Sequence, residues 1–151
     1  MSRSEVVPGL FISSKPSPGR HADVDAIVLT AVEYQPPADL FPGAEVLHVP
    51  LEDDASRPLR VDEIAVAIRA GRRVAKRLLA GRRVLVSCAM GLNRSALVAA
   101  LAMHEIYGMN ADEIIARIRR ERGAWALSNP GFVQLLRAVI AEHHAGRVLK
   151  S

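Results

Sequence analysis

The segment Val84-Leu85-Val86-Ser87-Cys88-Ala89-Met90-Gly91-Leu92-Asn93-Arg94-Ser95 constrains the fold more than any other part of the chain. Its first three residues form an apolar run without polar alternation. That pattern predicts a strand covered on both faces, as in an α/β sheet. The residues from Asn93 to Tyr107 are apolar nearly all round, which predicts a helix buried on most sides. A buried strand that turns through one short loop into a buried helix needs neighbouring strands and further helices to cover it. The expected class is therefore α/β, a small mixed central sheet flanked by helices, with this loop between the last strand and the central helix.

The rest of the chain agrees. Leu10-Phe11-Ile12, Ala26-Ile27-Val28-Leu29 and Val46-Leu47-His48-Val49 are brief apolar runs bounded by Pro, Gly or Asp, and read as strands. From Val61 to Leu79, Ile64, Ile68, Ala75, Leu78 and Leu79 recur at helical spacing, although Gly71 weakens the pattern. Asn110 with Glu113 resembles a capping box, opening a helix that turns Ile114, Ile115 and Ile118 inward. Asn129-Pro130 opens a last helix whose buried stripe is Phe132, Leu135, Leu136, Val139 and Ile140. There is no internal repeat or linker. The 151 residues read as a single domain spanning 1–151.

Composition narrows the function. Half the residues are hydrophobic and 24% are charged, a globular balance. With three Phe, two Tyr and one Trp, the chain is poorly supplied for the stacked aromatics of a single-strand nucleic-acid platform. The net charge of +4 favours anionic ligands but reads mainly as a solvated surface, which weighs against a nucleic-acid face. One Cys excludes an intrachain disulfide and any multi-cysteine metal site. The start, Met-Ser-Arg-Ser-Glu-Val-Val-Pro, lacks a signal-peptide apolar core, and no apolar run is long enough to span a bilayer. A reducing cytoplasm, with no membrane partner, is the expected setting.

The loop after Val86 has a definite chemistry. At a helix N-terminus the first backbone N–H groups have no intrahelical partner, and turned inward they form a nest for an anion. The helix dipole adds positive charge. Gly91 allows a tight bend. Arg94 can fork onto two phosphate oxygens. The same features favour a thiolate at Cys88, holding its pKa below the value of about 8.5 of a free cysteine. A cup for a tetrahedral oxyanion with a nucleophile at its base suits phosphoryl transfer through a covalent thiophosphate.

The segment Cys88 to Ser95 resembles the Cys-x5-Arg-Ser/Thr signature of the cysteine-dependent dual-specificity protein phosphatases. The likeness runs from about Val6 to Ile140. It includes the opening strand Leu10-Phe11-Ile12, the segment Val49-Pro50-Leu51-Glu52-Asp53, and the stretch Ala111 to Asn129 with Ile114-Ile115, Arg119-Arg120 and Ser128-Asn129, followed by Asn129 to Phe132. The resemblance implies a phosphatase-like fold and hydrolysis of phosphotyrosine, with phosphoserine and phosphothreonine as further substrates, in phosphorylated proteins. It implies that Cys88 is the nucleophile and that Arg94 holds the phosphoryl group. The main chain of Ala89, Met90, Gly91, Leu92, Asn93 and Arg94 completes the cradle. Ser95 eases departure of the thiolate, and Asp53 is the general acid. Asp54, adjacent, is the competing acid. No metal or cofactor is required. The family's His before the Cys is replaced here by Ser87, which keeps less of the loop-orienting hydrogen bonding that the resemblance assigns to that His. The residues between Asp53 and Val61 read as a flap.

Two other readings remain open on the sequence: a phosphate-binding module with little turnover, and a rhodanese-like sulfurtransferase. Other residues read as structural. His104 is expected in the core, and His48, His143 and His144 show no metal spacing. Arg117, Arg119, Arg120 and Arg122 are expected to be solvated around a helix end. Trp125 is expected to plug the core.

Overall fold

The structure is a computed structural model and describes residues 2–150. The described residues form five strands and four α-helices: β1 (Arg3–Val7), β2 (Leu10–Ser13), β3 (Ala26–Ala31), β4 (Glu45–Leu51), α1 (Val61–Leu79), β5 (Val84–Ser87), α2 (Arg94–Tyr107), α3 (Ala111–Arg122) and α4 (Pro130–Lys150). The strands make one sheet in the order β1-β2-β5-β3-β4. Strand β1 is antiparallel to β2, and the other pairings are parallel, so the sheet is mixed as expected.

The unbroken apolar runs behave as their composition demands. Every residue of β2, β3 and β5 is buried. Strand β4 alternates instead, with Leu47, Val49 and Leu51 buried and His48 and Pro50 exposed, because it is an edge strand. Its side chains on the buried face join the helices in one large core around α2, whose residues from Arg94 to His104 are all buried. The opposite face of the sheet is covered by loop residues, with Phe11, Ile27, Leu29, Phe41 and Leu85 in a smaller cluster that includes no residue of the α-helices.

Gly71 has a packing reason. A Cβ there would fall 2.6 Å from Cβ of Leu101, so the glycine lets α1 and α2 approach closely. Helix α3 opens on Asn110, whose Oδ1 accepts the Glu113 N–H, while its amide donates to the Glu113 carboxylate. Helix α4 begins at Pro130, and Asn129 Oδ1 caps it by accepting the Gly131 N–H. His104 is buried and satisfied: Nδ1–H donates to the Met109 carbonyl, and Nε2 accepts from His143 Nδ1. Trp125 corrects the expectation made for it. It is 76% exposed, because Ala126 and Leu127 fill the adjoining core and Leu127 turns the chain with a φ of 57°. No helix among the described residues is long and apolar enough to cross a membrane.

The loop before α1 is fastened rather than free of contacts. Arg57 donates to Glu63 and to Glu52, and Glu63 also accepts the Arg60 N–H at the helix start. The Arg57 guanidinium holds the Glu63 carboxyl at about 2 against an ordinary 4.5, outweighing its burial, with the Arg60 N–H assisting. A carboxyl lowered in the folded state stabilises fully above pH 4.5, and that stabilisation is lost as pH falls toward 2. Glu63→Gln is expected to lower stability at neutral pH by about 2 kcal/mol and to flatten the acid decline across that window. Urea denaturation at several pH values tests this, and equal acid slopes in both proteins would refute it.

Candidate active site

Four parallel strands, β2, β5, β3 and β4, end at one edge of the sheet, and ligand sites in such sheets gather outside those carboxyl ends. The loops that follow them carry Ser14 and Lys15, Cys88 to Asn93, Val32 and Glu33, and Glu52 to Asp54. Topology alone therefore brings these four segments together.

Cys88 leaves the sheet from its central strand. Its N–H donates to the Ser13 carbonyl at 3.2 Å, and the preceding Ser87 carbonyl accepts from Thr30 Oγ1 at 2.7 Å. The start of the loop is thus pinned from both neighbouring strands. The sulfur is buried, but its neighbours are polar. Ser95 Oγ lies at 3.2 Å and the Gly91 N–H donates to it at 3.2 Å. Burial pushes the thiol up; hydrogen bonds from the Ser95 side chain and from the N–H groups of Ser95, Gly91 and Leu92 outweigh it, so the thiol lies below its ordinary value. Gly91 adopts a φ of 69°, and a Cβ on it would collide with the Arg122 guanidinium and lie 2.6 Å from the Ser13 carbonyl carbon.

Arg94 is buried at the first turn of α2, and its five donors can be assigned. Nη1 donates to Glu33 Oε1 and to the Leu51 carbonyl at 3.1 Å. Nη2 donates once, to Glu33 Oε2 at 2.9 Å. Nε is buried without a partner. The remaining donors, Nε–H and the second Nη2–H, lie along one edge of the guanidinium, the geometry that grips two oxygens of one phosphate. Burial works against the charge, but the Glu33 carboxylate, with lesser help from Cys88 and Asp53, holds the Arg94 pKa above its ordinary value.

The two candidate acids have different surroundings. Asp53 accepts from Asn129 Nδ2 at 2.8 Å and contributes to the field at Arg94. Asp54 closes a local turn, with one oxygen accepting from both the N–H and the hydroxyl of Ser56. Asp53 is the one joined to the rest of the cluster. The Asn93 side chain braces the far loop: Oδ1 accepts the Asn129 N–H at 2.9 Å, and Nδ2 donates to Ser128 Oγ. The Met90 side chain is exposed, so at that position only the main chain belongs to the loop's inner wall. Ser87 Oγ donates to the Val28 carbonyl within the sheet, at 3.3 Å, rather than to the loop.

Three residues of this arrangement were not legible as site residues. Glu33 lies in Val32-Glu33-Tyr34-Gln35-Pro36-Pro37, an ordinary polar loop by composition; only its place after an inner strand could have flagged it. Arg122 stands among arginines that the sequence leaves solvated, yet it bonds to the loop's carbonyls. Asn129 opens α4, as its pairing with Pro130 predicts, and also holds Asp53.

No protein-family model matches the sequence, and no curated protein sequence matches it. Solved structures do. A mutant form of Tk-PTP superposes with a TM-score of 0.80 at 22% identity, covering 95% of this chain and 97% of that one. A point-mutant form of human DUSP28 gives 0.79 at 25% identity, covering 97% and 99%. The chain has the dual-specificity-phosphatase fold. The human tyrosine phosphatase-like serine/threonine/tyrosine-interacting protein shares it, with a TM-score of 0.74 at 21% identity over 93% of this chain and 97% of that one. In the dual-specificity-phosphatase fold seen here, the loop from Cys88 to Arg94 joins the central strand to the most buried helix.

Proposed function

We propose that this chain is a cysteine-dependent phosphatase that hydrolyses phosphotyrosine, and with less selectivity phosphoserine and phosphothreonine, in proteins. The observation that carries the reading is one convergence: a buried sulfur accepting from a hydroxyl and from loop amides, beside an arginine whose Nε has no partner. A tetrahedral phosphoryl dianion satisfies both needs, placing its oxygens on the amides and on the open edge of Arg94 and its phosphorus over the sulfur.

The reaction then has two steps. The Cys88 thiolate attacks phosphorus as the ester P–O bond breaks, and protonated Asp53 gives its proton to the leaving oxygen. Arg94 and the loop amides stabilise charge on the equatorial oxygens. Water next attacks the cysteinyl-phosphate while Asp53, now ionised, takes its proton. The S–P bond breaks, and Ser95 donates to the departing thiolate. The shared fold of Tk-PTP and DUSP28 supports the phosphatase assignment.

Hydrolysis of p-nitrophenyl phosphate and of a phosphotyrosyl peptide by wild type, Asp53→Asn and Asp54→Asn tests the proposal. Asp53→Asn is expected to lower peptide kcat by about 10²-fold. Asp54→Asn is expected to stay near wild type. A loss confined to Asp54→Asn would transfer the acid's role. A wild type that binds phosphopeptide without turnover would make the chain a phosphate-binding module, and sulfur transfer from thiosulfate to cyanide would make it a sulfurtransferase.

A further inference from the structure

The phosphate loop needs its amides turned inward, and the side chain before Cys88 does not arrange this: Ser87 Oγ donates to Val28 in the sheet. Another group grips the loop from outside. Arg122, the last residue of α3, donates from Nε to the Gly91 carbonyl at 2.9 Å and from Nη2 to the Met90 carbonyl at 3.1 Å. Its Nη1 donates to the carbonyl and hydroxyl of Ser2 at 3.1 and 3.3 Å, so the guanidinium is itself held.

The choice of those two carbonyls matters. A peptide unit is planar and trans, so its C=O and the next residue's N–H point in opposite directions. Holding the Met90 carbonyl outward aims the Gly91 N–H inward. Holding the Gly91 carbonyl outward does the same for the Leu92 N–H. The Gly91 N–H donates to the Cys88 sulfur at 3.2 Å, and the Leu92 N–H adds to the lowering of the thiol. One planar side chain thus fixes two consecutive peptide planes, and the absence of a Cβ on Gly91 gives the guanidinium its place.

We infer that Arg122 is a positioning residue for the nucleophile: through the Met90 and Gly91 carbonyls it sets the two amides that stabilise the Cys88 thiolate. The inference rests on the phosphatase reading only in taking Cys88 to work as a thiolate. A bare cation beside the loop would also favour a thiolate, so the test separates the fork from the charge.

Cys88 is the only cysteine, so thiolate absorbance titrated against pH, with Cys88→Ser as the blank, reports it alone. Iodoacetate alkylation gives a second profile, and neither readout needs turnover. Arg122→Met is expected to raise the thiolate midpoint by about one unit, lowering the thiolate fraction near the wild-type midpoint or below it by up to about tenfold. Arg122→Lys keeps the charge but cannot hold both carbonyls in parallel, and is expected to recover less than half of that shift. Arg120→Met, an equal charge change on the exposed side of the same helix, is expected to leave the midpoint at its wild-type position. Amide exchange at Gly91 and Leu92 is expected to quicken in Arg122→Lys, a variant that keeps the helix-end charge if the Met variant does not fold. A wild-type midpoint in Arg122→Met, or full recovery by Lys with unchanged amide exchange, overturns the inference. If wild type hydrolyses no phosphoester while the midpoint still moves with Arg122, the phosphatase reading fails and the inference stands.

Discussion

Cys88→Ser is expected to hydrolyse p-nitrophenyl phosphate about 10⁴-fold more slowly than wild type, or slower, while still binding tungstate. Under the proposed mechanism the magnitude follows from removal of the atom that would form the covalent intermediate, which leaves binding and transition-state electrostatics to act alone. Retention of the anion follows from what the substitution leaves in place. The Arg94 edge, the loop amides and their anchors at Ser13 and Arg122 do not depend on sulfur. A hydroxyl at this position is not ionised by the same hydrogen bonds, since its starting acidity is far weaker than that of a thiol. Steady-state kinetics and calorimetric titration with tungstate check both halves. Undiminished turnover would end the covalent mechanism, and loss of tungstate binding with turnover would show that the sulfur organises the loop rather than reacting within it.

Arg94→Lys is expected to lower kcat by about 10²- to 10³-fold, with tungstate affinity falling as well. Lysine restores charge but not the parallel pair of donors that Glu33 leaves open. Glu33 engages Nη1 and Nη2 end-on, so the side edge is the part of the guanidinium still available to an anion. Glu33→Ala is the companion variant. If the carboxylate orients Arg94, its loss weakens tungstate; if the carboxylate competes with the anion, its loss tightens tungstate. A kcat for Arg94→Lys near that of wild type would remove planar, two-point recognition from the mechanism.

The geometry of the loop was legible because it is contiguous. A strand end, a cysteine, a glycine and an arginine at a helix start lie within one short run, and each acts through backbone geometry that sequence spacing fixes. Strands β2, β3 and β5 were legible for a similar reason, since full burial leaves an unbroken apolar run. Strand β1 was not. Arg3-Ser4-Glu5 carries polar residues, and its extended form comes from antiparallel pairing with β2 rather than from its own pattern. Glu33 and Arg122 escaped for a topological reason. Strand order decides which loops meet, and nothing local in Val32-Glu33-Tyr34 or Arg119-Arg120-Glu121-Arg122 records that order. Trp125 shows the limit of hydrophobicity as a guide: in a short turn, backbone direction chose the smaller Ala126 and Leu127 for the interior.

Asn129 ties two distant stretches to the start of the last helix: its main-chain N–H donates to Asn93 Oδ1, its Nδ2 holds Asp53, and its Oδ1 caps α4. Synthesis runs from the N-terminus, so a nascent chain exposes the sulfur and its arginine before this amide leaves the ribosome. Until the last helix docks, Asp53 lacks its hydrogen bond from Asn129, and the segment after β4 is not yet tied to the start of α4. The Asp53 end of the cluster is therefore fastened late, by the C-terminal third of the molecule.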